Sequence, residues 1–175
     1  HGSPTGLETG ASWVTETDQA GAFYGDVVGT AGDVNGDGYS DIIVGADKYD
    51  DGHADEGVVF AWYGSVVGLG DNGTPGNADC TAEADQAGAH FAISVSTAGD
   101  VNGDGYSDVI IGSDLFDTGQ ADEGRAYVYH GSPTGLETGA SWVTETDQAG
   151  AFYGDVVGTA GDVNGDGYSD IIVGA

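Results

Sequence analysis

Asp33, Asn35, Asp37 and Asp41 place four oxygen-bearing side chains at positions 1, 3, 5 and 9 of the stretch Asp33-Val34-Asn35-Gly36-Asp37-Gly38-Tyr39-Ser40-Asp41. The pattern is written twice more, as Asp100, Asn102, Asp104 and Asp108 and as Asp162, Asn164, Asp166 and Asp170. Odd spacing lets a tight loop turn alternate side chains toward one centre. Gly38, Gly105 and Gly167 stand at position 6, where the sharp turn calls for a positive φ. The backbone carbonyl at position 7, from Tyr39, Tyr106 or Tyr168, would then point to the same centre. Hard oxygen donors without His or Cys select calcium, and less well magnesium, over zinc. One Ca2+ per loop makes three. The loops are not EF-hands, because position 12 is Val44, Ile111 or Val173 in place of a bidentate Glu, and the flanks read as strands. Asp, Asn and Gly are also ordinary turn residues. Three copies, each crowding three carboxylates into nine residues, would however repel themselves without a cation, and the metal-loop reading prevails.

The rest of the composition leads to the same need. The 175 residues hold 30 Asp and Glu against 2 basic residues, Lys48 and Arg125, for a formal charge of -28. Such a chain has no basic surface for DNA or RNA. Three bound Ca2+ would bring the charge from -28 to -22, still acidic enough to favour solubility and disfavour anionic partners. A content of 39% hydrophobic and 10% aromatic residues supports a packed core instead of a disordered acidic tail. No apolar run approaches the length of a membrane-spanning helix. The single cysteine, Cys80, cannot form a disulfide within the chain. No signal peptide is visible, and the sequence starts at a histidine, as a processed or excised segment would.

The elements that must position the loops are repeated with them. Residues 1–46 recur identically as 130–175, and the diverged copy between them carries its loop 67 positions after the first and 62 before the third. The unit is therefore roughly 65 residues. It divides the chain into the end of a partial blade (1–18), a first repeat (19–83), a second (84–147) and the start of another partial blade (148–175). Within a unit the pattern is that of strands. Asp41–Ala46 is a short continuous apolar run of the kind buried on both faces. The segments 57–64 and 124–131 are aromatic and β-branched runs bounded by glycine, with Arg125, Tyr127 and Tyr129 on one face and Ala126 and Val128 on the other. Tyr24–Ala31 and Ala11–Thr15 supply the other two strands, with equivalents near Phe91–Ala98 and Ala78–Ala82. The fold class is all-β, four-stranded antiparallel blades without helix, eleven strands in all.

Phe23-Tyr24-Gly25, then Ala31-Gly32-Asp33 through Asp41, then Ile42-Ile43-Val44-Gly45-Ala46, resembles the FG-GAP repeat. That repeat builds the seven-bladed β-propeller at the head of integrin α subunits and of related bacterial surface and secreted proteins. The resemblance covers essentially the whole chain. It implies the same ligand positions: Asp33, Asn35, Asp37, the Tyr39 carbonyl and Asp41, with the matching residues of the other two loops. There are departures. Asp47 stands where the motif ends in Pro, Gly112-Ser113-Asp114 replaces it in the second copy, and the FG element there reads His90-Phe91-Ala92. A seven-bladed ring needs about 455 residues at this repeat length, so the ring is incomplete in this chain.

The remaining polar residues carry less. Cys80 takes the place of Trp13 and Trp142 and reads as a small buried hydrophobe. His1, His53, His90 and His130 share no metal-ligand spacing, and no Ser or Cys pairs with them; no catalytic set is recognised. A second acidic group, Asp47, Asp50, Asp51, Asp55 and Glu56, is echoed by Asp114, Asp117, Asp122 and Glu123, either as a solvated loop or as a further cation site. Asn72-Gly73-Thr74 matches a glycosylation sequon. The leading expectation is a non-enzymatic, calcium-binding extracellular or cell-surface module with a structural or adhesive role toward a protein or glycan. The blades would be completed by self-association or by a longer parent chain. Two alternatives stay open: an accessory or catalytic part of a secreted carbohydrate-active hydrolase or lyase, and a self-assembling filament or surface-layer subunit.

Overall fold

The structure, a computed structural model, describes residues 2–175. β1 (Gly2–Ser3) and β2 (Gly6–Leu7) form a short hairpin. β3 (Val27–Gly32), β4 (Asp41–Ala46), β5 (Val58–Trp62) and β6 (Cys80–Glu83) pair antiparallel in that order as one sheet. β7 (Phe91–Gly99), β8 (Asp108–Ser113), β9 (Arg125–Tyr129) and β10 (Trp142–Glu145) repeat it. β11 (Val156–Gly161) and β12 (Asp170–Gly174) repeat its first half. Among the described residues the one helical element is a single 3-10 turn, Pro75–Asn77. The chain is all-β, built of four-stranded antiparallel blades of the propeller type, two of them whole, in an incomplete ring.

The continuous apolar runs are explained by burial on both faces. Along β4 and β5, Ile43, Val59 and Ala61 enter the core shared with the second blade, whereas Val44, Phe60 and Trp62 enter a core on the opposite face. Along β8 and β9, Val109, Ile111, Tyr127 and Tyr129 join the first of these cores, and Ile110, Ala126 and Val128 pack against Val157 of β11. Alternate residues of one strand thus serve two interfaces, and no polar face remains. Burial pushes the Tyr127 phenol up to about 12. It also raises the Cys80 thiol, which packs against the shared core but is only partly buried, not fully as its sequence position suggests.

Two expectations need correction. Ala11–Thr15 is not a strand. Its equivalent β10 pairs with β9, whereas no described strand runs beside residues 11–15. Instead Thr15 makes an isolated bridge to Gly73, the Trp13 indole N–H donates to the Asp71 carbonyl at 2.7 Å, and the Trp13 ring packs edge-on against Trp62. With the β1–β2 hairpin the described residues form twelve strands. Similarly, Tyr24 precedes its strand: Phe23 and Gly25 both take positive φ, and Asp26 N–H closes a turn on the Phe23 carbonyl. The aromatic-glycine element is a turn leading into β3.

The blades meet backbone to backbone. Phe91 N–H donates to the Glu56 carbonyl at 2.8 Å, and Tyr153 N–H to the Glu123 carbonyl at 3.1 Å. The residues that follow, Gly57 (φ +84) and Gly124 (φ +77), lie so close to the next blade that a Cβ would fall 2.0 Å from the Phe91 oxygen and 2.2 Å from the Tyr153 oxygen.

Candidate metal loops

Each loop leaves its inner strand through a bulge. The registers of β3–β4, β7–β8 and β11–β12 shift at Thr30/Gly32, Thr97/Gly99 and Thr159/Gly161. The bulged glycines take positive φ, and the preceding threonine hydroxyl accepts their N–H at 3.1, 3.1 and 3.2 Å. Position 1 of the loop follows at once. Asp33 Oδ1 accepts the Asp37 N–H at 3.0 Å and Oδ2 accepts the Gly38 N–H at 2.9 Å. Asn35 Oδ1 also accepts the Asp37 N–H, and Asp37 Oδ1 accepts the Tyr39 N–H at 2.9 Å. Asp100, Asn102 and Asp104 reproduce these bonds, as do Asp162, Asn164 and Asp166. The backbone N–H groups hold the Asp162 carboxyl below its usual range.

Position 9 is different. Asp41 and Asp108 are fully buried. Asp41 Oδ2 accepts the Val34 N–H at 2.8 Å and Oδ1 the Gly64 N–H at 2.7 Å; Asp108 does the same with Val101 and Gly131. Each therefore ties the loop to the exit of the third strand, and burial raises both carboxyls despite these bonds. Among the described residues Asp170 accepts only the Val163 N–H of this pair. The structure thus gathers positions 1, 3 and 5 into one hydrogen-bonded turn and sets position 9 beneath it. None of the three loops brings its three aspartates within 4.8 Å of one another, as they are turned to backbone N–H groups. Tyr39, Tyr106 and Tyr168 close the turns through their N–H groups.

The contacts that join one loop to the next are not visible in spacing. Ser107 Oγ accepts the Asp33 N–H at 3.1 Å, Ser107 N–H donates to the Asp33 carbonyl at 2.9 Å, and the Tyr106 ring lies over Gly36, where a Cβ would be 2.6 Å from it. Ser169 and Tyr168 hold Asp100 and Gly103 in the same way. The Tyr-Ser pair at positions 7 and 8, repeated in every copy, was the available signal.

The second acidic stretch is largely a backbone-binding device. Asp50 and Asp117 each accept an N–H five residues on, at 2.7 Å. The side-chain amide of Gln19 brackets the backbone of Asp50, and Gln86 that of Asp117. Glu56 and Glu123 are buried and accept two loop N–H groups apiece. Asp47 and Asp114 flank His90, whose Nδ1 is 3.5 Å from Asp114 Oδ1. Burial raises both carboxyls, against the opposing pull of His90 and, for Asp47, Lys48; Asp155 and Asp26 add repulsion. A carboxyl with a raised folded value contributes stability that is full below its unfolded value and is lost as pH rises through the folded one. Without divalent cations the protein is therefore expected to resist urea better at pH 5 than at pH 7, and the Asp47→Asn/Asp114→Asn double variant to show a flatter dependence. An unchanged slope in that variant would remove these two groups as its source.

His1 lies outside the described residues. His130 is half-buried at the end of β9, and His53, contrary to the absence of ligand spacing, sits with Glu56 and Asp85 in a group whose ligand atoms all lie within 4.8 Å of one another. The separation of 32 positions between His53 and Asp85 hides it from any motif search.

Bulged hairpins with an Asp loop between the two inner strands of an antiparallel blade define a propeller repeat. The FG-GAP repeat profile matches residues 24–62 and 91–129, and the chain carries FG-GAP repeats at these two positions. It is 32% identical over 146 residues to chicken (Gallus gallus) integrin alpha-6, covering 82% of this chain and 12% of that protein. To Drosophila melanogaster integrin alpha-PS2 it is 35% identical over 167 residues, 90% of this chain and 12% of that one. To Xenopus laevis integrin alpha-5 the identity is 30% over 167 residues, 90% and 15% respectively. The chain thus spans about an eighth of the length of these relatives. No helix among the described residues is long and apolar enough to cross a membrane.

Proposed function

We propose that this chain is a calcium-stabilised, non-enzymatic section of an extracellular propeller, with a structural or adhesive role. The observation that carries the reading is the threefold repetition of one loop scaffold, the first two loops each locked by Ser and Tyr of the next. The donor set suits calcium. Asp33, Asn35 and Asp37 offer oxygens that keep a lone pair beyond the N–H each accepts, Asp41 lies beneath them, and neither His nor Cys is among them. A bound Ca2+ would supply the positive charge that three crowded carboxylates lack, and the same holds for the loops of Asp100 and Asp162. The Tyr39, Tyr106 and Tyr168 carbonyls would complete the sets. Affinities of about 10⁻⁴–10⁻³ M, as in extracellular modules, fit such exposed sites.

The module would work within a larger ring. Val34 and Ile43 are fully buried by the second blade, whereas their identical counterparts Val163 and Ile172 are 72% and 63% exposed. A following blade, from a longer chain or a second copy, would cover them.

Calcium binding followed by flow dialysis tests the reading. Three sites are expected, two of them tighter than the third, because Asp170 lacks the second N–H that fixes Asp41 and Asp108. Asp104→Ala should remove one of the tighter pair. Absence of saturable uptake at millimolar calcium would overturn the proposal.

A further inference from the structure

The two whole blades differ at one corner, and the difference is one of charge. In the second blade Arg125 of β9 lies directly across from Glu145 of β10. Its Nε donates to Glu145 Oε2 at 2.9 Å, its Nη2 donates to the same oxygen, and Thr118 Oγ1 donates to it at 2.7 Å. The guanidinium also stacks 4.1 Å above the Phe116 ring. These bonds hold the Glu145 carboxyl below its usual range. In the first blade the same register places Val58 across from Glu83. The cation is gone, yet the carboxylate remains, and Thr118 is replaced by Asp51.

What stands there instead is a set of ligands. Glu83 Oε2 is buried and has no hydrogen-bond partner. A cavity of about 210 Å³ opens beside it, lined by Asp51, Val58, Glu83 and Asp85 among others, on the side that Arg125 fills in the second blade. At the same corner His53 Nδ1 is 3.2 Å from Oε2 of the fully buried Glu56, and His53, Glu56 and Asp85 offer ligand atoms all within 4.8 Å of one another. The second blade has Gln120 where the first has His53, so the imidazole appears only where the arginine is missing.

We infer that the corner formed by His53, Glu56, Glu83 and Asp85 binds a divalent transition cation, which takes the place that the Arg125 guanidinium occupies in the second blade. The donors decide the class. An imidazole nitrogen among carboxylates favours a zinc-like ion over calcium, in contrast to the all-oxygen Asp loops. The neighbouring charges favour any cation here: Asp51, Glu83 and Asp85 line the cavity beside the buried Glu56, and no Lys or Arg is among them. The site is independent of the Asp loops and would stand if those bound nothing.

Zn2+ is the probe. Isothermal titration with ZnCl2 in excess calcium, so that the Asp loops compete poorly, is expected to show one strong equivalent on the full chain. His53→Gln, which copies the second blade, should weaken it by about tenfold or more. Val58→Arg, which installs the second blade's own cation, should abolish it, with circular dichroism confirming the fold. A histidine ring resonance that shifts on zinc addition and is absent from His53→Gln would locate the ion independently of either affinity. If the wild-type chain takes up no zinc under these conditions, or if His53→Gln and the folded Val58→Arg chain bind it as tightly as the wild type, the inference is wrong.

Discussion

Alanine at Gly124 or Gly57 is expected to cost about 3 kcal/mol or more. Two effects combine at each position. A positive φ near +80° strains a residue bearing a Cβ by about 1–2 kcal/mol. The added carbon would also lie 2.2 Å from the Tyr153 carbonyl oxygen or 2.0 Å from that of Phe91, which is backbone and cannot swing aside. Separating the blades to make room adds about 1–3 kcal/mol of misfit and stretches the Tyr153-to-Glu123 or Phe91-to-Glu56 hydrogen bond. For a chain of this size the combined effect lowers the melting temperature by roughly 6–12 °C. Gly105→Ala separates the two contributions, because its φ is +92° but nothing lies within 4 Å of a Cβ there. It should show the strain alone, about 1–2 kcal/mol. Thermal denaturation of the three variants in calcium is the measurement, and equal melting of Gly124→Ala and Gly105→Ala would deny the blade joint its importance.

Withdrawal of calcium is expected to have an effect of similar size. With three sites of about 10⁻⁴–10⁻³ M, millimolar calcium stabilises the folded chain by about 1–4 kcal/mol in total. Transfer to EGTA should then lower the melting temperature by roughly 2–16 °C. The interlocking of the loops adds a spatial expectation. Because Tyr106 and Ser107 rest on the first loop, and Tyr168 and Ser169 on the second, amide exchange should rise across the blade boundaries as well as inside the loops. Melting and exchange that are indifferent to EGTA would mean that the hydrogen-bonded turns are sufficient by themselves.

The sequence by itself determined the fold class, the repeat and the membership of each loop. Runs such as Asp41–Ala46 have one reading because every residue is apolar after the first, and a strand apolar on both sides must be covered on both sides. The Asp loops were legible because all their members lie within nine residues, and loop chemistry written at short range leaves its trace in spacing. Strand formation at Ala11–Thr15 could not be read that way. The same tryptophan-centred segment is a strand at Trp142–Glu145 and a cap at Trp13, and the difference lies entirely in whether a partner strand runs beside it. Position 9 of the loops likewise changed meaning, since only the fold shows that Asp41 and Asp108 are buried and answer the N–H groups of Gly64 and Gly131, 23 residues away.

The corner at His53 is the clearest case of what tertiary structure alone decided. Its ligands come from the loop before β5 and from Glu83 and Asp85 at the end of the outer strand, and no spacing rule connects His53 to Asp85. The loss of Arg125's counterpart at Val58 is a single substitution among many between two diverged copies. It becomes informative only when the sheet register sets Val58 opposite Glu83 and leaves a buried carboxylate oxygen without a partner. Local pattern specifies which segments are strands and turns because those preferences act over a few residues. Which charges must share a corner depends on which strands lie side by side, and that is decided by packing across the whole blade.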